Sequence, residues 1–422
     1  MLVVGAGAAG LAAGIFAGET ARRVAADPPP HVLLVDGART IGAKLLISGG
    51  GRCNVTHDTV DPTDYNGSQR VIRRVLAAFG ARDTVRWFAE LGVSLKCEAS
   101  GKLFPTTDRA RTVLDALLRR CAALDVGIAT GRRITAVDVL APDGFVVHHA
   151  AGTLRTRRVI LATGGRSLPR TGSDGLGWDI VRRLGHDVTP THPALVPLRL
   201  ARGMFHGALT GLSHNVELTT VVDGRPIDRR VGSMLWTHFG VSGPVAMDAS
   251  RHWVIAHAEG RAPRLRCSFL PGTRFEEADA QLVAAARAHP RRTVRRVLAV
   301  ELPERVAAHL AEAIGIDPGL PIGQLARAAR RRLAQALTGF ELPVTDARGW
   351  DFAEVTAGGV PLDEIDPRTM ASRHVPGLYL VGEMLDCDGR IGGYNFQWGW
   401  ATGFLAGRAA VRSLAAASKA DG

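Results

Sequence analysis

Lysine is almost missing from this chain. Of 52 basic residues only Lys44, Lys96, Lys102 and Lys419 are lysines, and the rest are arginines spread through an alanine-rich sequence of 422 residues. Aromatic residues are scarce at 5%, with three tyrosines, and few of them lie among the arginine clusters at 291–296 and 327–332. The net charge of +12 therefore reads as solvated helix faces, and the pattern argues against a nucleic-acid surface. Cysteines number five, at 53, 97, 121, 267 and 387, without any CxxC pair. That excludes a disulfide framework, a dithiol redox centre and a cysteine-based metal site, and it points to a reducing, cytoplasmic compartment. No uninterrupted apolar run reaches the roughly 18 residues of a membrane span. The apolar opening, MLVVGAGAAGLAAGIFAG, has no basic residue ahead of it and is broken by glycines, unlike a secretion signal.

What is present begins with a βαβ pattern. LVV, residues 2–4, runs into GAGAAG and an alanine-rich segment; after ADPPPH comes VLLVD, an apolar run closed by Asp36. The first strand is unusually short, which suggests a natural start a few residues earlier. Further on, RRITAVDVL, FVVHHA and TLRTRRVILATGG read as successive strands separated by turn signals. From about 190 to 270 short strands broken by Gly and Pro are expected, with a turn at DGRP. From 273 to 335 the pattern is helical, and the end returns to a strand, GLYLVGE, a glycine turn and a final helix. The expected organisation is a nucleotide-binding domain from 1–190 and 346–422, a β-barrel-like insertion from 191–272 and 336–345, and a small helical domain from 273–335.

GAGAAG fits the dinucleotide fingerprint G-x-G-x-x-G in its required context. Gly5 permits the tight turn, Gly7 removes a side chain where pyrophosphate approaches, and Gly10 lets the helix approach the strand, with Ala8 and Ala9 between them. The helix N-terminus offers free N–H groups and a positive dipole end to phosphate. Asp36 closes the second strand, where a carboxylate can accept from ribose hydroxyls.

The fingerprint alone does not separate NAD from FAD. VILATGG, with Thr163 and Gly164 at a strand end, and VGEMLDCDGRIGGYN, with Gly382, Glu383, Gly392, Gly393, Tyr394 and Asn395, resemble the second and third cofactor contacts of the two-dinucleotide-binding-domain flavoproteins. In that resemblance Glu383 holds ribityl hydroxyls, and the helix after Gly393 aims its positive end at the flavin edge where charge develops on reduction. SGGGRCN then takes the place of the segment that passes beside the isoalloxazine ring in fumarate-reductase-like flavoproteins. Gly49, Gly50 and Gly51 would let backbone approach the ring, Ser48 and backbone N–H groups can hydrogen-bond its heteroatoms, and Asn54 closes the segment. Arg52 can offer charge to phosphate or reduced flavin, or make a structural ion pair. Cys53 reads as a small buried packing residue rather than a nucleophile.

GAKLLISGGGRCNVTH, which contains Lys44, SGKLFPTTDRA, MLWTHFGVSGPVAMDAS and LVGEMLDCDGRIGGYNFQWGWATG follow in the order seen in the bacterial HI0933-like flavoproteins, also called BaiN-like or YhiN-like oxidoreductases, which this chain resembles nearly end to end. The resemblance implies an α/β, glutathione-reductase-like Rossmann fold binding FAD tightly without a covalent bond, carrying inserted β-barrel-like and helical domains. It departs modestly at Asp36, where glutamate is usual, and at Gly399, where a larger residue is common. It further implies NAD(P)H-driven hydride transfer through flavin N5 to a small organic acceptor, of the activated C=C or enone kind. No second G-x-G-x-x-G in a βαβ context is present, so either nicotinamide docks transiently or another donor serves. For the accompanying proton, Arg52, His238 and Tyr394 are the candidates. His238 could instead fix the barrel, and Tyr394 could be a pocket wall. Two other classes stay open: an FAD-dependent RNA-modifying enzyme, and a flavin-binding sensor without turnover.

Overall fold

The computed structural model describes residues 1–24 and 29–420; part of the ADPPPH loop and the end of the ASKADG tail lie outside them. The chain divides into two compact units, 1–191 with 355–422, and 192–354.

Four short apolar strands, Leu2–Val4, Leu33–Val35, Val159–Leu161 and Leu378–Leu380, carry the first unit. All residues of the first, third and fourth are buried. Continuous apolar runs of this sort suit parallel strands covered on both faces, and the pairing is parallel. Leu2–Val4 sits between Leu33–Val35 and Val159–Leu161. Gly127–Ala129 extends the sheet beyond the former, while Leu378–Leu380 and two antiparallel edge strands extend it beyond the latter. The strands Ile134–Val139, Phe145–His149 and Gly152–Thr156 form the expected antiparallel meander.

The helix Ala8–Ala21 leaves Leu2–Val4 through the glycine turn and is buried along most of its length. Against it lies the closing helix, Tyr394–Ala420. Glycines make this approach possible. A Cβ on Gly403 would stand 2.7 Å from the Ala9 carbonyl oxygen, and one on Gly407 2.3 Å from that of Ala13. At Gly399 the same atom would meet Ala9 at 3.6 Å, an ordinary contact, so a larger residue fits there.

The second unit is built on a seven-stranded antiparallel sheet. Its two edge strands, Phe340–Leu342 and Val344–Ala347, are separated in the chain by Pro343 alone, so the sheet's edges start side by side. Ser213–Val222 and Arg225–Thr237 meet in a hairpin whose turn, Asp223 and Gly224, has positive φ at both positions, as the DGRP signal requires. Three expectations change here. A helix, Pro244–Ala258, interrupts the segment read as strands only. It opens with Pro244 in the first turn after Gly243 at φ +85°, so punctuation taken for a strand break starts a helix. The helices of 275–339 share one hydrophobic cluster with the sheet, through Leu265, Phe269, Leu282, Leu310 and Leu337, so barrel-like and helical parts have a common core. Residues 346–354, expected with the nucleotide-binding part, cluster with this unit: Val344–Ala347 pairs with Leu198–Leu200, and Arg348 lies over Phe239 and Phe352.

Candidate functional site

The glycine turn shows a division of labour. A Cβ on Gly5 would stand 2.4 Å from the Ala162 oxygen, and one on Gly10 only 1.8 Å from the Gly5 oxygen. Gly5 is left-handed at φ +101°, which only glycine adopts readily. Gly7, by contrast, would have nothing within 4 Å of its Cβ. Two glycines thus close the turn, and the third leaves an open cradle at the helix N-terminus, where the first backbone N–H groups have no intrahelical partner. Asp36 accepts from the Ala6 N–H and the Ala38 N–H, both at 2.7 Å, which ties the second strand's end to the turn. A carboxylate has further lone pairs for ribose hydroxyls.

Beyond Leu33–Val35 the segment Ala43–Gly51 starts as a helix and breaks at Ser48. Gly49, Gly50 and Gly51 then follow one another in the left-handed region at φ +56°, +68° and +83°, with Cys53 also positive at +61°. Nothing lies within 4 Å of where a Gly50 Cβ would be. The result is a strip of backbone without side chains. The Ser48 hydroxyl donates to the Leu45 carbonyl. Cys53 is fully buried, and burial pushes its thiol up to about 12, which removes thiolate character. The Arg52 guanidinium pairs with Glu98 at 2.6 Å and lies 3.9 Å over the Phe104 ring.

Glu383, just beyond Leu378–Leu380, takes an ion pair from Lys44 at 2.5 Å, a hydrogen bond from the Ser167 hydroxyl at 2.6 Å and one from the Thr356 N–H at 3.0 Å. Lys44 also reaches Ser167 at 2.6 Å. Four segments distant in sequence are therefore fastened around one carboxylate. Gly382 sits above the first helix, where its Cβ would meet that of Ala9 at 2.8 Å.

The glycine pair at 392–393 brings the closing helix's start against the Thr56 backbone, 2.7 Å from a Gly393 Cβ. Tyr394 is 5% exposed and stacks on the His57 ring with centroids 5.0 Å apart, while Tyr65 donates to its carbonyl at 2.9 Å. Asn395 spends both ends of its amide on the Gly389 backbone. Sequence reasoning missed Gln397, which is fully buried. It accepts from Thr56 and Thr84 and donates to the Phe79 carbonyl. Trp398 and Trp400 donate their indole N–H to the Gly382 and Val55 carbonyls. The GGYNFQW motif contains Gln397 and Trp398 but does not disclose their buried partners.

Two buried polar atoms of the expected cofactor set have no hydrogen-bond partner among the described residues: Asn54 Oδ1 and Thr163 Oγ1. An unmade bond on a buried polar atom costs about 1–3 kcal/mol. Gly177 preserves the room at Thr163, since a Cβ there would stand 1.9 Å from Thr163 Oγ1. Orphaned acceptors, an open cradle at Gly7, left-handed Gly164 and the side-chain-free strip together fit a bound dinucleotide with a flat ring system. Of the expected residues His238 alone belongs to the second unit, exposed at the tip of the hairpin that joins Arg225–Thr237 to Gly240–Ser242.

Fold and site define a Rossmann-type flavoprotein oxidoreductase. A family model described as "HI0933-like protein Rossmann domain" matches residues 1–409, and the chain belongs to that family. It is 35% identical to the 3-dehydro-bile acid delta(4,6)-reductase of Clostridium scindens, over 97% of this chain and 98% of that protein. It is 32% identical to the ribosomal RNA dihydrouridine synthase of Escherichia coli, over 95% of each. Among solved structures the 3-ketosteroid delta1-dehydrogenase of Sterolibacterium denitrificans shares the fold, with a TM-score of 0.52 at 13% identity over 98% of this chain and 99% of that one. No helix among the described residues is long and apolar enough to cross a membrane.

Proposed function

We propose that this chain is an FAD-dependent reductase that saturates a C=C bond conjugated to a carbonyl, with NAD(P)H as its transient electron donor. The observation that carries the reading is the strip Gly49–Gly51, bare of side chains and continued by Asn54 with its unpaired buried Oδ1. FAD held there supplies hydride transfer through N5. The chain's own residues bind and orient. Gly5, Gly7 and Gly10 with Ala8 and Ala9 form the pyrophosphate cradle, and Asp36 offers lone pairs to ribose. Thr163, Gly164, Gly382 and Glu383 hold the middle of the dinucleotide, with Lys44 fixing the Glu383 carboxylate. Ser48, Gly49–Gly51, Arg52 and Asn54 line one side of the ring with Cys53 packed behind them, and Gly392, Gly393, Tyr394 and Asn395 line another.

The names of the two relatives support the acceptor class from different directions. A 3-dehydro-bile acid delta(4,6)-reductase acts on carbons conjugated to a ketone, and a dihydrouridine synthase acts on the uracil C=C conjugated to a ring carbonyl. The shared chemistry is hydrogen delivered to an electron-poor C=C. A small polycyclic enone is the preferred acceptor, in keeping with the higher identity of the first relative. RNA is the second reading, carried by the name of the second relative.

The test is the anaerobic visible spectrum of the purified holoprotein with NADH, then NADPH, followed by either a 4-en-3-one steroid or ribosomal RNA. The expected result is bleaching by one nucleotide and return of the flavin band with the enone. Return with RNA alone, with dihydrouridine found by mass spectrometry, moves the acceptor to RNA. A flavin band that neither nucleotide bleaches removes the NAD(P)H reading. The proton donor is found by substitution: Tyr394→Phe, Arg52→Gln or His238→Gln at the donor slows reoxidation by the acceptor and leaves flavin reduction unchanged.

A further inference from the structure

The second unit holds a cavity of about 210 Å³ between the helix Phe275–Ala288 and the segment 297–302. Its floor is apolar, with Leu282, Leu298 and Leu302 each 5% exposed or less. At its margin stand His289, Arg292 and Glu301, and Val300 is 69% exposed there. The arginine has a particular setting. Three arginines of this helical region are held within the chain, Arg330 by Asp279, Arg295 by Glu304 and Arg331 over Phe275, and none of these three lines the cavity. Arg292 makes no ion pair among the described residues, and neither does Glu301, so the two line one cavity without meeting within 4.0 Å.

We propose that this cavity binds a small amphipathic monoanion, an apolar body of medium-chain size ending in a carboxylate or sulfonate, with the body on the leucine floor and the anion at Arg292. Size supports the class: a cavity of about 150 Å³ lined by apolar groups takes benzene, so this one admits a somewhat longer body. Charge supports the sign. Arg292 presents a planar fork of donors that matches a carboxylate, and no carboxylate among the described residues pairs with it. Glu301 opposes the anion, which makes the signs of two substitutions opposite. The site is remote in sequence from every expected cofactor contact and does not depend on the proposed reductase reading.

The experiment titrates holoprotein with 1-anilinonaphthalene-8-sulfonate, followed by fluorescence, and displaces the dye with octanoate. Saturable binding at one site per chain is expected. Arg292→Gln should raise the dissociation constant at least fivefold, Glu301→Gln should lower it, and octan-1-ol should compete at least tenfold worse than octanoate. Ala285→Trp, which fills the cavity, should abolish binding in a protein of unchanged circular dichroism. Dye binding that is absent, or that survives both Arg292→Gln and Ala285→Trp, overturns the proposal. Equal competition by octanol and octanoate overturns the role of Arg292.

Discussion

Asn395 and Gly389 are joined by two hydrogen bonds. The Gly389 N–H donates to Asn395 Oδ1 at 2.8 Å, and Asn395 Nδ2 donates to the Gly389 carbonyl at 2.9 Å. The side chain thereby mimics a strand partner and holds the 388–389 segment, which pairs with Tyr65–Asn66, against the start of the closing helix. Asn395→Asp keeps the first bond and sets a carboxylate oxygen against the Gly389 carbonyl. A loss of about 1–3 kcal/mol is expected, seen as a lower melting temperature and faster flavin release. Unchanged release would separate this pin from the cofactor site.

Gly7→Glu should fold. Its φ of −78° suits any residue, and the Cβ meets nothing within 4 Å, but the new carboxylate fills the cradle meant for phosphate. Colourless protein with native circular dichroism is the expected outcome; normal FAD retention would falsify the placement of the pyrophosphate. Gly10→Ala should instead fail to accumulate as folded protein, because its Cβ overlaps the Gly5 carbonyl.

The closing helix gives a contrast of sign. Gly399→Ala gains helix propensity of about 0.8–1 kcal/mol without a clash, whereas Gly403→Ala must push the Ala9 carbonyl away and should cost about 1–3 kcal/mol. Urea unfolding of both variants checks this. A destabilised Gly399→Ala would mean that the departure at this position serves something other than helix packing.

Much of this was legible because it is local. GAGAAG, the apolar runs ending in Asp36 and Thr163, and the 392–393 glycine pair encode steric demands that neighbouring residues reveal. The fastenings are not local. Glu383 meets Lys44 across 339 positions, and Gln397 meets Thr56 across 341. Nothing in the neighbourhood of Gln397 announces a buried amide. Nor does sequence disclose that Arg52 is held by Glu98, since an arginine free for phosphate and one in an ion pair look alike. The helix Pro244–Ala258 was concealed by its own punctuation, as a proline after glycine ends a strand as readily as it opens a helix.

His186 predicts a pH effect. Ser372 Oγ accepts from the His374 and Val375 N–H groups, so its own proton goes to His186 Nε2, and Nδ1–H donates to Glu364 at 2.5 Å. The imidazole is thus held neutral; burial lowers its pKa below the usual 6.5, and Glu364 opposes this only in part. A base with a lowered folded pKa gives stability that is present above pH 6.5. It is lost as pH falls, since the unfolded chain takes up the proton first. The urea midpoint should drop between pH 7.5 and pH 5.5, and His186→Gln should reduce the slope. An unaltered slope in the variant would assign the effect to other histidines.

The contact between the first helix and the closing helix also sets a timetable. Ala9 and Ala13 leave the ribosome early, and Gly403 and Gly407, which cover them, leave near the end. Synthesis at about 5–20 residues per second puts roughly ten to thirty seconds of translation of the second unit between the strands Val159–Leu161 and Leu378–Leu380. During that interval the nascent nucleotide-binding sheet lacks Leu378–Leu380 and the two edge strands beyond it, and its first helix lacks a cover, while the inserted unit is free to close once Val344–Ala347 has been made. Arrested chains ending before residue 394 should therefore yield a protease-resistant second unit and a first unit that is digested, the first unit gaining resistance only when its last helix arrives.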